Sequence, residues 1–333
     1  MFYVKRPGEF TKNILSNQTV FFYSQNSTGK TEFIKNELLL NSNIIYIDLS
    51  STFTLKDLGY LLIQETSIFF NREIKNFELK TNDINIFKSA LLYAVYESED
   101  KRLEDLIICF DNFNYILDFH LKNESEVFKI IADVLQKSDI KMIFSLNTID
   151  GVDIFLNPNS YLFDFAKNIP FQHLEKEEIL NTVNTYLKIF NISINMKTLD
   201  LVLADFGMNL RYLQQFVKEL LAYKKIDDIV IKECLEKVYL FAEYDLSIEL
   251  VSLIGKKTLS DILYYVAIGC NVYAAALENH SMSKHNTKHS LNTLAKLGLV
   301  VQEQNYKKYI CRNSFLKRYI LEKFNKRVKN GTN

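Results

Sequence analysis

The chain has 333 residues and a mass of 39.0 kDa, longer than one hydrophobic core usually serves, so two or three domains are expected. Hydrophobic residues at 48% and charged residues at 24%, with 9 Gly and 3 Pro, exclude a chain dominated by disorder or linkers. The formal net charge is +0, yet from Lys284 onward twelve Lys and Arg face only Glu303 and Glu322, a surplus of ten that points to a polyanion-binding module.

Residues 19–23 are a short apolar, β-branched and aromatic run ending at a polar turn, and 32–40 follow with helical periodicity. Further strands are predicted at 44–49, 106–110 and 141–146, with a fifth within 161–169, and helices at 55–70, 86–97 and 126–136. Continuous apolar strands alternating with helices predict an α/β fold, a parallel sheet with helices on both faces. After Pro170 the strands stop, and 176–190, 196–206, 209–223 and 229–244 read as helices. Helices at 258–268, 271–278 and 284–297, strands at 299–303 and 307–312 and a last basic helix at 314–326 follow the plan of a winged helix. The expected domains are 1–170, 171–245 and 246–333.

Cys109, Cys234, Cys270 and Cys311 stand far apart with no C-x-x-C pair, which argues against a zinc or redox site and fits a reducing cytoplasm. No run of about 18 apolar residues occurs, so neither a membrane span nor export is expected.

The strongest motif is Ser24-Gln25-Asn26-Ser27-Thr28-Gly29-Lys30-Thr31, which fits the phosphate-binding pattern G-x-x-x-x-G-K-[ST] except for Ser24 at the first glycine. Such a loop curls its backbone N–H groups round the phosphates of ATP or ADP. The following helix N-terminus adds positive dipole, Lys30 reaches the β- and γ-phosphates, and the Thr31 hydroxyl serves Mg²⁺. The predicted strand before the motif and helix after it supply the context that a chance match lacks. Leu106-Ile107-Ile108-Cys109-Phe110-Asp111-Asn112 ends a buried strand in Asp111, placed to stand by the Mg²⁺. Asn147, just past the fourth strand, is placed either to reach the γ-phosphate or merely to make a turn. Arg211, early in a helix, either folds onto bound phosphates or is a solvated helix arginine.

These elements in this order, with the helical segment and winged helix behind them, resemble the AAA+-related P-loop ATPases. The likeness is greatest to the archaeal-type ATPase family of the signal-transduction ATPase group, and it spans most of the chain. The resemblance implies a P-loop ATPase core at 1–170, an all-α lid at 171–245 and a winged-helix domain at 246–333. It makes Gly29, Lys30 and Thr31 the phosphate loop, Asp111 the metal-associated aspartate, Asn147 the first sensor and Arg211 the second. Two departures stand out. Asn112 occupies the place of the usual water-activating Glu, and an amide cannot take up a proton, so hydrolysis is expected to be slow. No Arg lies between Arg102 and Arg211, where ring-forming relatives carry an arginine finger, so a hexamer of that kind is not expected.

In a winged helix the third helix faces the DNA major groove. Leu291, Leu294 and Leu297 are the expected buried stripe, leaving Lys284, His285, Lys288 and Asn292 outward, with Lys307 and Lys308 at the wing. His280, His285 and His289 lack acidic or cysteine partners nearby in sequence, which argues against a metal site. The expected function is an ATP-controlled switch, a slow ATPase whose nucleotide state orients a winged helix on double-stranded DNA. Two alternatives stand beside it: a signalling ATPase whose winged helix meets a protein partner, and a non-hydrolysing module that holds its nucleotide.

Overall fold

The computed structural model describes residues 2–16, 19–24, 28–40, 43–72, 82–103, 105–119, 124–172, 174–303 and 308–330. The chain forms two compact units, Lys5–His173 and the pair of segments Met1–Val4 and Leu174–Asn333.

The first unit is built on a five-stranded parallel sheet of β1 (Val20–Tyr23), β2 (Ile44–Asp48), β3 (Ile107–Asp111), β4 (Lys141–Leu146) and β5 (Lys167–Asn168), in the order β2-β3-β4-β1-β5. Successive side chains of a strand point to opposite faces, so an all-apolar strand needs a core on each side. Phe21, Ile108, Phe110, Met142 and Phe144 pack into one core, with Leu58 and Leu62 of α3 (Leu55–Phe69), Phe87 and Leu91 of α4 (Asp83–Asp100), and Ile131 of α5 (Glu124–Lys137). Phe155 of α6 (Ile149–Leu156) stacks on Phe21 in that core at 4.8 Å between ring centres. Val20, Phe22, Ile107, Cys109 and Ile143 pack into the other, against Phe10 and Ile14 of α1 (Gly8–Ser16) and Phe33 of α2 (Lys30–Phe33). Full burial of one such phenylalanine contributes about 1.5–3 kcal/mol.

Several elements differ from the sequence expectation. Helix α1 has no counterpart there, because Phe10 and Ile14, buried and four apart, are a single helical pair rather than a sustained repeat. Helix α6 is short and contains Gly151; Thr148 holds its start, accepting a hydrogen bond from Gly151 N at 3.1 Å. The helix expected at 32–40 begins at Lys30 and widens to a π-helix at Ile34–Leu38, a turn type that sequence period does not signal. The fifth strand shrinks to two residues, because Leu162 and Ala166 reach the core from turns rather than from a strand.

The second unit holds α7 (Lys176–Ile189), α8 (Met196–Asp205), α9 (Leu210–Leu220) and α10 (Asp228–Glu249), then α11 (Lys257–Ile268), α12 (Val272–His280) and α13 (Lys284–Lys296). The antiparallel pair β6 (Val300–Gln302) and β7 (Tyr309–Cys311) and helix α14 (Ser314–Asn330) complete it. Three helices followed by a hairpin is the expected order. One hydrophobic cluster runs through the whole unit, from Ile179 and Phe216 to Leu291, Leu294 and Ile320. Gly207 adopts a left-handed φ of 58°, and a Cβ there would meet the Arg312 carbonyl at 2.7 Å, so this turn requires glycine. Leu297, expected in the buried stripe, is 42% exposed: α13 stops at Lys296, and Gly298 turns the chain at φ 70°.

Candidate phosphate-binding site

Strand β1 ends beside Ser24, whose N–H donates to the Leu146 carbonyl at 3.2 Å and so continues the β1–β4 pairing into the loop. Ser24 is buried, and its hydroxyl makes a short hydrogen bond with the Thr28 hydroxyl. The side chain in place of the first glycine therefore bridges the two ends of the loop. Gln25, Asn26 and Ser27 lie outside the described residues. Gly29 caps α2 in the left-handed conformation, φ 88° and ψ 23°, which a residue with a Cβ adopts only at a cost. The first residue of α2 is Lys30, 5% exposed, with Nζ donating to the Ser24 carbonyl at 2.5 Å. Burial pushes its pKa from 10.5 down to about 7; Asp111 opposes the fall and Arg6 adds to it. A cation desolvated in this way regains its charge when an anion arrives.

Arg6 is a component that sequence reasoning missed. It is 3% exposed and lies over the Phe171 ring at 4.0 Å. Its Nη2 donates to the Thr28 carbonyl at 2.8 Å, and its Nη1 makes a short bond to the Gln172 carbonyl. Its backbone N–H donates to Glu37 Oε1 at 2.8 Å, while Thr11 Oγ1 donates to Glu37 Oε2 at 2.8 Å. The segment before α1 is thereby tied both to the loop and to the helix that follows it. The one sequence signal was an arginine in a chain whose cations are mostly lysine.

The parallel register places Asp48 opposite Asp111 at the carboxyl ends of β2 and β3, where open α/β sheets hold their ligands. Asp111 is fully buried. Its Oδ2 accepts from Thr31 Oγ1 at 2.6 Å and from the Tyr46 hydroxyl at 3.0 Å, and its Oδ1 accepts from Asn112 N at 3.0 Å. Burial and then the Asp111 charge push the Tyr46 hydroxyl far above its usual pKa, so Tyr46 stays a donor. Asn112 has φ 58°, a left-handed backbone that Asn tolerates better than most residues. Its Nδ2 donates to Asp48 Oδ1 at 2.8 Å and its Oδ1 accepts from Asn147 Nδ2 at 2.5 Å. Asn147 N in turn donates to Asn114 Oδ1 at 3.0 Å.

The donor set fits the group that such a loop implies. A hydroxyl and a carboxylate 2.6 Å apart are hard oxygen ligands for Mg²⁺, an ion that keeps several waters and uses one or two protein groups beside substrate phosphates. Thr31 and Asp111 would hold it, and the ion would supply charge neutralisation at the phosphates. Lys30 and the N-terminus of α2 would provide the positive counterpart for the anion itself. Among the described residues, no group of three or more His, Cys, Asp or Glu stands ready to hold a metal alone.

Other candidates fall in the second unit. Arg211 pairs with Asp245 at 3.3 Å and lies 5.1 Å from the Phe241 ring centre. Lys284, His285, Lys288 and Asn292 are exposed on α13, and Asn292 Oδ1 accepts from the Tyr309 hydroxyl at 3.2 Å. Lys308 is exposed, and Lys307 lies outside the described residues. Arg312, Arg318 and Lys323, part of the basic surplus, pair with Glu249, Glu236 and Glu243 at 2.6, 2.7 and 3.5 Å.

No family model matches the sequence, and no curated protein matches it. Solved structures do match nearly the whole chain. A Walker-type ATPase of Pyrococcus abyssi superposes with a TM-score of 0.74 at 16% identity, covering 96% of each chain. The ORC2 protein of Aeropyrum pernix, solved in ADPNP–ADP complexes, gives 0.59 at 11% identity over 96% of this chain and 92% of that one. The ORC1 protein of Aeropyrum pernix, in complex with DNA, gives 0.53 at 11% identity over 98% and 95%. The chain shares the fold of these structures. No helix among the described residues is long and apolar enough to cross a membrane.

Proposed function

We propose that this chain is an ATP-binding switch of the AAA+ type. In this reading Mg²⁺ and ATP bind at Lys30, Thr31 and Asp111, hydrolysis is slow, and the nucleotide state orients basic C-terminal elements on duplex DNA. The observation that carries the nucleotide part is the meeting of Lys30, Thr31 and Asp111 at the carboxyl edge of the sheet, with the Thr31 hydroxyl 2.6 Å from the carboxylate. Slow turnover follows from Asn112 unless another carboxylate takes the place of the Glu, since losing general-base assistance typically costs about 10²–10⁴ in rate. Arg211 is the proposed link from nucleotide to the second unit, exchanging its Asp245 partner for phosphate. An assembly of several copies is compatible with this reading, although not a ring completed by an arginine finger.

The DNA part rests on Lys284, His285, Lys288 and Asn292, which share the exposed face of α13, and on the DNA complex of the structurally similar ORC1 protein. A second reading, a protein partner in place of DNA, is favoured by two observations. Three of the C-terminal cations are already paired with acids of the same unit, and Leu240, Tyr244 and Ile248, four residues apart on α10, are exposed. Fluorescence anisotropy of a labelled duplex, with ATP or ADP and over a range of salt, separates the two. The DNA switch predicts affinity that falls with salt and differs between nucleotides, with a salt slope reduced by about one for each of Lys284→Ala and Lys288→Ala. DNA binding indifferent to nucleotide removes the switch, and no binding at low salt leaves the protein partner.

A further inference from the structure

We infer that Asp48 supplies the water-activating carboxylate of this site, the role that position 112 cannot fill; this rests on the ATPase reading above. The Asn112 amide cannot accept a proton, but it is hydrogen-bonded on both sides, to Asp48 Oδ1 at 2.8 Å and to Asn147 Nδ2 at 2.5 Å. A carboxylate on the neighbouring strand is therefore one hydrogen bond away from the side chain that stands in place of the Glu.

Three features suit Asp48 to the task. It ends β2 in register with Asp111, so both carboxylates emerge at the same edge of the sheet. Its Oδ1 accepts from Ser50 N at 3.0 Å as well as from Asn112, which fixes the plane of the carboxylate. Among the described residues nothing donates to its Oδ2, so that oxygen remains as an acceptor for water. Asp111 offers no such oxygen: its Oδ1 takes Asn112 N, and its Oδ2 takes both Thr31 and Tyr46. The charges of Asp48 and Asp111 act on the same Tyr46 hydroxyl, which puts them in one electrostatic region.

The left-handed backbone at Asn112, φ 58°, belongs to the same arrangement. Asn accepts that conformation where Glu is disfavoured, and its amide can donate to Asp48 while accepting from Asn147. In the step itself the water oxygen bonds to the γ-phosphorus. The bond from that phosphorus to the bridging oxygen breaks, its electron pair leaving with ADP. One water proton passes to Asp48 Oδ2 and from there to solvent, so ATP and water give ADP, phosphate and a proton.

The test uses the full-length chain as wild type, Asp48→Asn and Asp48→Glu. The Asn variant keeps the acceptor for Ser50 N and Asn112 but loses the base. Calorimetric titration with Mg²⁺ and ATP, single-turnover phosphate release, and chromatography of the nucleotide bound after incubation are the readouts. Expected for Asp48→Asn are an ATP affinity within about threefold of wild type, phosphate release at least about thirtyfold slower, and ATP retained where wild type carries ADP. Asp48→Glu, which keeps a carboxylate, retains more release than Asp48→Asn. Equal release from wild type and Asp48→Asn overturns the assignment, as does a wild type that binds ATP and never releases phosphate. Loss of ATP binding in Asp48→Asn overturns it too, in favour of a structural role. A wild type that binds no nucleotide overturns the ATPase reading itself.

Discussion

Arg6 and Lys30 in the sheet unit are 3% and 5% exposed, and their described side-chain hydrogen bonds run to the backbone carbonyls of Thr28, Gln172 and Ser24. In the helical unit Arg318 and Lys323 keep 41% and 45% of their side chains in solvent and pair with acids on α10. A buried cation depends on the hydrogen bonds that offset its desolvation, whereas exposed surface pairs contribute little to stability.

The largest effect on stability expected from that contrast is at Arg6. Arg6→Ala removes the donor from two carbonyls and leaves the Phe171 ring uncovered, so unfolding free energy should fall by about 2–3 kcal/mol. With the Thr28 carbonyl released, ATP affinity should fall by about tenfold as the loop loses its fixed orientation. Urea unfolding and nucleotide titration of the variant check both numbers. An Arg6→Ala protein as stable and as tight-binding as wild type would erase the difference between the units.

A pH effect follows from Lys30. Its pKa is about 7 in the fold against 10.5 for a solvated lysine, so between those values the unfolded chain holds more protons than the native one. The penalty for charging the buried amine is therefore full below pH 7 and fades as pH rises toward 10.5. Bound phosphates favour the ammonium form, so ATP binding above pH 7 takes up a proton, and affinity falls with rising pH by up to about tenfold per unit. Titrations in two buffers of different ionisation enthalpy measure that proton. Affinity constant from pH 7 to 9 with no proton taken up would show that Lys30 is charged throughout.

The smallest effect belongs to the other side of the comparison. Lys323→Ala breaks a 3.5 Å pair with Glu243 whose side chains are 45% and 37% exposed, and it should change stability by less than about 0.5 kcal/mol. If thermal unfolding puts its cost level with that of Arg6→Ala, exposure is not what divides the two sets of charges.

The same contrast governs what could be read from the sequence. Strands β1 to β4 were legible because each is a continuous apolar run, and the loop because its side chains act within eight consecutive positions. Asp111 was legible as the polar end of such a run. Arg6 was not, since its bond to Gln172 spans 166 residues and depends on how the end of the sheet meets α1. Asp48 lay inside the strand expected at 44–49, and only the register against Asp111 brings it to the site. The position of Arg211 at the start of a helix was legible, while its partner Asp245 depends on how α9 packs against α10.

The most direct test is a paired calorimetric titration of ATP with Mg²⁺ into wild type and Lys30→Ala, with unfolding curves to show that both are folded. Removal of one charged donor to the phosphates is expected to weaken binding by about a hundredfold. Wild-type binding with that loss in a folded variant is the predicted result. Equal affinity in the two proteins, or no binding by wild type, would contradict the assignment of this loop as a phosphate site.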